Sequence, residues 1–334
     1  MSKKTEALIR KMFEKKRTDY IPPMKLVYFH GFGSSAASRT ILTLKERLQD
    51  FEIIAPDIPV DPAVALPFLK ELCRKEQPDV IVGTSMGGMY AQQMFGFNRI
   101  CVNPAMEMGE TMKAHSMTGT QQFQNPRLDG VQEFYVDKAL VKEYKDQSEH
   151  RFEDVSDEDR QRVYGLFGDE DTTVNTFDMF HEVYPHALHF HGEHRMNDKS
   201  FMHSVVHVIR WIDDKQEHRE RPIIYIGMET LMDAFKKPAS SAQKAVRRLI
   251  EHYQVYFVAP SANHAETTAW LEAYINVPAW HHIIFTYRRD LLYGDYLISQ
   301  QKECDTMSTL LEYGSDTFKT WDDIIDYFSR LGGQ

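Results

Sequence analysis

Gly83-Thr84-Ser85-Met86-Gly87 decides the reading of this chain. It fits the pattern G-x-S-x-G and lies between an apolar run, Asp79-Val80-Ile81-Val82, and a helix-forming stretch that starts at Met86. A strand that turns abruptly into a helix forces the central residue into strained backbone geometry. It also requires glycines two residues to either side, where a Cβ would clash. Such a turn leaves a serine hydroxyl at the N-terminus of a helix, where the dipole favours developing negative charge. The five-residue pattern arises by chance. Its weight here comes from the strand before it, the additional Gly88 and the His30-Gly31 pair upstream.

Working outward, strands and helices alternate. Upstream, Lys25–Phe29 and Phe51–Ala55 read as strands, with helices over Ser38–Asp50 and Asp61–Lys75. Downstream, Arg99–Val102, Arg162–Phe167 and Ala187–Phe190 are predicted strands, Thr176–Tyr184 a helix and Lys199–Ile212 a closing helix. Continuous β-branched runs indicate strands buried on both faces, hence a parallel sheet in a doubly wound α/β architecture. Residues 106–158 break the rhythm. They are rich in Met, Gln, Phe and Tyr, show no clear strand, and are expected to form a helical cap.

A G-x-S-x-G turn on such a sheet is the nucleophile elbow of an α/β hydrolase, whose triad runs serine, acid, histidine along the chain. Ser85 is the expected nucleophile. The turn Gly168-Asp169-Glu170-Asp171 follows a late strand. Asp171 is the expected acid, with Asp169 as the alternative. His191-Gly192-Glu193-His194 follows the last strand, and His194 is the expected base among neighbours that include His186, His189 and His191. The residue after the nucleophile and the loop after the first strand supply oxyanion amides in this fold, so the N–H groups of Met86 and Phe32 are the candidates. His30 reads as an anchor of that loop. The clustered histidines have no metal-ligand spacing, and no metal or other cofactor is expected.

The 334 residues exceed one small core, and two domains are the natural expectation. A net charge of −10 argues against nucleic acid and anionic membrane surfaces as partners. A small-molecule ester is the expected partner, and homo-oligomerisation is left open. Cys73, Cys101 and Cys304 are widely spaced and odd in number, as in a reducing compartment. The charged stretch Thr5–Lys16 does not read as a signal peptide, and no apolar run is long enough to span a membrane, so the expected location is cytoplasmic.

Three segments, Leu26–Ser35, Gly83–Gly88 and Asn103-Pro104-Ala105, resemble the YqiA/YcfP-like esterase family (UPF0227) over roughly residues 25–212. The resemblance implies a compact hydrolase of short acyl esters, with Ser85, the Gly168–Asp171 turn and His194 at the matching positions.

Asp213–Arg221 reads as a solvated linker, with the domain boundary near residue 218. The expected organisation is a helical appendage over 1–20, an α/β-hydrolase domain over 21–215, and a second α/β domain over 220–334. The second resembles the haloacid-dehalogenase (HAD) group in its 5′-nucleotidase-like branch. The resemblance rests on Ile223–Phe235, Val255–Ser261, Val277–Trp280, Ile283–Thr286, Gly294–Ile298 and Phe318–Asp323. Gly227 stands where that resemblance implies a nucleophilic aspartate, Glu229 where it implies the acid/base aspartate, and Ser299-Gln300 where it implies an acidic pair. Catalytic inactivity is therefore expected, with Arg288 and Arg289 as candidate anion contacts. The function read from the sequence is a serine esterase with a degenerate partner domain. The alternatives are a non-catalytic binding or signalling module, and an acyltransferase using the same triad.

Overall fold

The computed structural model describes residues 23–190, 192–195, 198–216, 218, 220–233, 236–260, 263–277, 282–300 and 306–331. The helical appendage expected over 1–20 lies outside them, as do His191, Phe235, Ser261, Pro278, Ala279, Trp280 and Cys304 from the motifs above.

The first sheet has six parallel strands: β1 (Met24–Phe29), β2 (Phe51–Ile54), β3 (Val80–Thr84), β4 (Asn98–Val102), β7 (Val163–Gly168) and β8 (His186–Phe190). Their spatial order is β2-β1-β3-β4-β7-β8. Alternate residues feed opposite cores. Val27, Phe29, Ile81 and Cys101 join Leu69, Met89, Tyr90 and Phe180 on one side. Leu26, Tyr28, Val80, Val82, Ile100 and Val102 join Ile41, Leu44, Val205 and Ile209 on the other. This is the burial on both faces that the apolar runs predict. Helix boundaries follow local chemistry. Pro62–Glu76 opens with Pro62 at its first position and the Asp61 carboxylate accepting the Ala63 N–H, and it closes at Gln77 in the left-handed region.

The cap differs from expectation. Residues 106–158 hold helices Met108–Ala114 and Lys138–Glu149, but also an antiparallel hairpin of β5 (Gly119–Gln122) and β6 (Glu133–Val136). Its strands are short, half exposed and built partly from glutamine, so they carry neither β-branched runs nor burial on both faces. Side-chain packing holds it instead. Phe134 packs edge-on against Phe32 at 5.2 Å, and Arg127 lies over Phe123 at 4.5 Å.

The charged run after residue 212 is less solvated than expected. Helix Asp198–Gln216 continues through its first half, Asp213 is buried, and Asp214 accepts a hydrogen bond from Arg221 at 2.9 Å. The same helix serves a second sheet, where Trp211 stacks on His282 at 4.4 Å. That sheet is parallel too, in the order β11-β10-β9-β12-β13, from β9 (Ile223–Gly227), β10 (Gln254–Ala259), β11 (Ile283–Phe285), β12 (Tyr296–Ser299) and β13 (Thr309–Glu312). Helices Ala242–His252 and Trp321–Arg330 pack against it through Ala245, Leu249, Trp321 and Phe328. Among the described residues, no helix is long and apolar enough to cross a membrane.

Candidate active site

Ser85 follows β3 and caps helix Met86–Gln92 with φ 54° and ψ −119°, a conformation costly for a side-chain-bearing residue. Its surroundings enforce that geometry. The Ser85 N–H bonds the Val102 carbonyl at 2.9 Å, and the Ser85 carbonyl accepts the N–H groups of Gly88, Met89 and Ala105. A Cβ on Gly83 would lie 2.2 Å from the Gly87 carbonyl oxygen, and one on Gly87 would lie 2.1 Å from the Phe29 carbonyl oxygen. The glycines are therefore required by close backbone approach on both sides of the serine.

His194 stands between the serine and a carboxylate. Its Nε2 is 3.0 Å from Ser85 Oγ, and its Nδ1 is 2.7 Å from Asp171 Oδ2. Asp171 is almost fully buried. Burial pushes its carboxyl pKa up, but the hydrogen bond from His194 and those from the Val174 and Thr173 amides outweigh this and hold it below the usual value. Asp169, the alternative acid, does not meet the imidazole. Its Oδ1 accepts the Gly192 N–H at 3.0 Å and so supports the loop that carries His194. The competing histidines are engaged elsewhere, His186 stacked on Tyr164 and His189 on Phe177.

The loop after β1 runs beside Ser85, since a Cβ built on Gly31 would lie 3.4 Å from Ser85 Cβ. Among the described residues, the main-chain N–H groups of Phe32 and Met86 have no acceptor. Tyr144 braces both residues, its ring edge-on to Phe32 and its hydroxyl 3.2 Å from Met86 Sδ. His30 anchors the same loop. Its Nε2 accepts the Ile58 N–H at 3.0 Å, its Nδ1 lies 2.9 Å from the Gly31 carbonyl, and burial pushes its pKa down to about 4.

Sequence reasoning passed over the clasp between this loop and the hairpin. Asp57 accepts the N–H groups of Ala36 and Leu128, Ser35 donates to the Pro126 carbonyl, and Asn125 donates to Ser34 Oγ. The turn-like Ala55-Pro56-Asp57 after a strand was the available signal. A cavity of about 760 Å³ opens over Ser85 and His194. Its wall is more polar than the Met-rich composition of the cap implies. Gln121, Gln124, Asn125 and Thr111 line it beside Met108, Met117 and Phe134, while Met106 and Met112 of the cap are buried in the core.

A nucleophile elbow after the third strand of a parallel sheet, with an acid and a histidine on the loops after the last two strands, defines the α/β-hydrolase fold. The family model described as "Uncharacterised protein family (UPF0227)" matches residues 25–182, just under half of the chain. Solved structures similar to this chain include alpha/beta hydrolase domain-containing protein 10 from mouse, at 16% identity and a TM-score of 0.40, covering 58% of this chain and 90% of that one. Est1E from Butyrivibrio proteoclasticus with ferulic acid bound aligns at 14% identity and a TM-score of 0.39, over 61% and 92% of the two chains. A soluble variant of monoglyceride lipase from Saccharomyces cerevisiae aligns at 13% identity and a TM-score of 0.39, over 60% and 87%. No curated protein matches the chain.

In the second sheet, the residues singled out by the HAD resemblance gather at the carboxyl ends of β9 and β12. The Arg289 guanidinium bonds both Glu229 carboxylate oxygens at 2.7 Å and Ser299 Oγ at 2.5 Å. The candidate anion contacts are thus already occupied, Arg289 by Glu229 and Arg288 by Asp290.

Proposed function

We propose that this chain is a serine hydrolase of carboxylic esters, with Ser85 as nucleophile, His194 as general base and Asp171 as its orienting acid. The observation that carries the reading is the His194 imidazole, within hydrogen-bond reach of both Ser85 Oγ and Asp171 Oδ2. His194 Nε2 takes the hydroxyl proton as Oγ attacks the ester carbonyl. Asp171 holds Nδ1–H and offsets the imidazolium charge. The N–H groups of Phe32 and Met86 receive the oxyanion, and the leaving alcohol departs with the proton from His194. Water then attacks the acyl-enzyme with His194 again as base, releasing the acid and restoring Ser85. The hydroxyls and carboxamides of the cavity wall favour an ester with hydrogen-bonding substituents over a purely alkyl one.

The second sheet belongs to this proposal as a HAD-like unit without phosphoryl-transfer activity. Gly227 offers no nucleophile, and the Glu229 carboxylate is committed to Arg289. The test is hydrolysis of a panel of p-nitrophenyl esters by the full chain and by Ser85→Ala. Loss of about 10⁴-fold or more in kcat on removing the hydroxyl supports the reading. Equal rates for the two proteins contradict it.

A further inference from the structure

His194 sits on a loop, and a loop histidine serves a serine only if its main chain is fixed relative to the elbow. Asp169 holds that loop at Gly192, and Asn103 holds it at Glu193 and His194. Asn103 follows β4, the strand lying between β3, which ends at the elbow, and β7, which ends at the acid turn. Its side chain is buried and spans the two loops. Oδ1 accepts the Gly168 N–H at 2.7 Å, while Nδ2 donates to the Glu193 carbonyl at 3.1 Å and the His194 carbonyl at 3.0 Å. Its own N–H bonds the Leu166 carbonyl at 2.8 Å, and two residues on, the Ala105 N–H bonds the Ser85 carbonyl at 3.0 Å.

The residue type follows from these contacts. One acceptor and two donors on a short planar group are what a carboxamide supplies. The backbone φ of 42° lies in the left-handed region, which asparagine enters more readily than other residues with side chains. Aspartate has the shape but would set a carboxylate oxygen against two carbonyl oxygens. Alanine would remove all three side-chain bonds, leaving the Gly192 contacts of Asp169 and Glu170 between the two loops.

We propose that Asn103 is a positioning residue whose carboxamide ties the acid turn and the His194 main chain to the strand beside the elbow, keeping the imidazole between Asp171 and Ser85. This rests on the serine-hydrolase reading. Asn103 touches no reacting atom and acts through His194.

The experiment compares the full chain with Asn103→Ala, the nearly isosteric Asn103→Asp, and Thr176→Val. The last removes another buried hydrogen bond of the same segment, from Thr176 Oγ1 to the Pro104 carbonyl at 2.7 Å, without touching the histidine loop. Ester hydrolysis, resolved into kcat and KM, is measured together with Tm. Both Asn103 variants are expected to lose about 10–100-fold in kcat with KM held within about twofold, the scale of a displacement near 1 Å at a reacting group. Thr176→Val is expected to lose Tm yet keep kcat within about twofold. Should Asn103→Ala fail to fold, Asn103→Asp carries the same test. A folded Asn103 variant with wild-type kcat overturns the proposal, as does an equal kcat loss in Thr176→Val. A wild-type chain that hydrolyses no ester overturns this proposal together with the one it rests on.

Discussion

The two parallel sheets end differently. At the carboxyl end of the six-stranded sheet, Ser85 and His194 face a cavity of about 760 Å³, beside the main-chain N–H groups of Phe32 and Met86, which have no acceptor among the described residues. At the carboxyl end of the five-stranded sheet, Glu229, Arg289 and Ser299 face one another. Both are places where α/β sheets bind ligands. The difference teaches that polar residues at such an end indicate function only when their hydrogen-bonding capacity is directed outward. At the second end, that capacity is consumed internally.

Glycine substitutions sharpen the contrast most. Gly87→Ala puts a Cβ 2.1 Å from one backbone carbonyl and 2.7 Å from another, neither of which can move without displacing β1. A loss of about 4 kcal/mol or more is expected, read as insoluble expression or a collapsed urea midpoint. Gly227→Ala also creates a close contact, 2.4 Å, but with a side-chain end, the Glu229 carboxylate, which can yield at the cost of its pairing with Arg289, and its φ of −66° suits alanine. A loss of about 2 kcal/mol is expected there, from the disturbed Glu229–Arg289 pair. Equal costs at the two positions would break the comparison.

Acid separates the two ends next. His30 has its folded-state pKa pushed from 6.5 down to about 4 by burial. The unfolded chain therefore binds more protons in that window. The associated stability is complete above pH 6.5 and is lost as pH falls toward 4, a total on the order of 3 kcal/mol. Glu229 is pushed up by burial but held below 4.5 on balance by Arg289, so its contribution persists above 4.5 and is lost only at lower pH. Urea unfolding at stepped pH should show a decline between 6.5 and 4 that is absent in a folded His30→Gln variant. A decline of the same size in that variant would remove His30 as its cause.

Arg289→Ala tests the closed end directly. It strands a largely buried carboxylate, and a loss of about 2–3 kcal/mol is expected, below the full range for buried pairs because Glu229 is partly exposed. Ester hydrolysis should stay within about twofold of wild type. A large loss of hydrolysis would join the two ends functionally and contradict their separation.

Much of the first sheet was legible because its signals are local. Buried runs gave strands, and Gly83 and Gly87 gave the elbow around Ser85. The chain order of loops after strands gave Asp171 and His194, which the fold brings together from positions far apart in sequence. What stayed hidden depends on contacts between distant segments. The hairpin Gly119–Val136 owes its form to Phe32 and Asp57 more than to strand propensity. Asn103 looked like part of a motif, and only the folded chain shows its carboxamide joining two loops. At the second sheet the replacement of Asp-type residues by Gly227 and Glu229 was readable, but the pairing of Glu229 with Arg289 was not, since sixty residues separate them.

The most direct test is intact-mass and peptide mapping of the full chain after exposure to a fluorophosphonate, beside Ser85→Ala and His194→Ala. The account predicts one covalent adduct, on the peptide containing Ser85, absent in Ser85→Ala and formed much more slowly in His194→Ala. An adduct that persists in Ser85→Ala, or a wild-type chain that remains unlabelled, would contradict it.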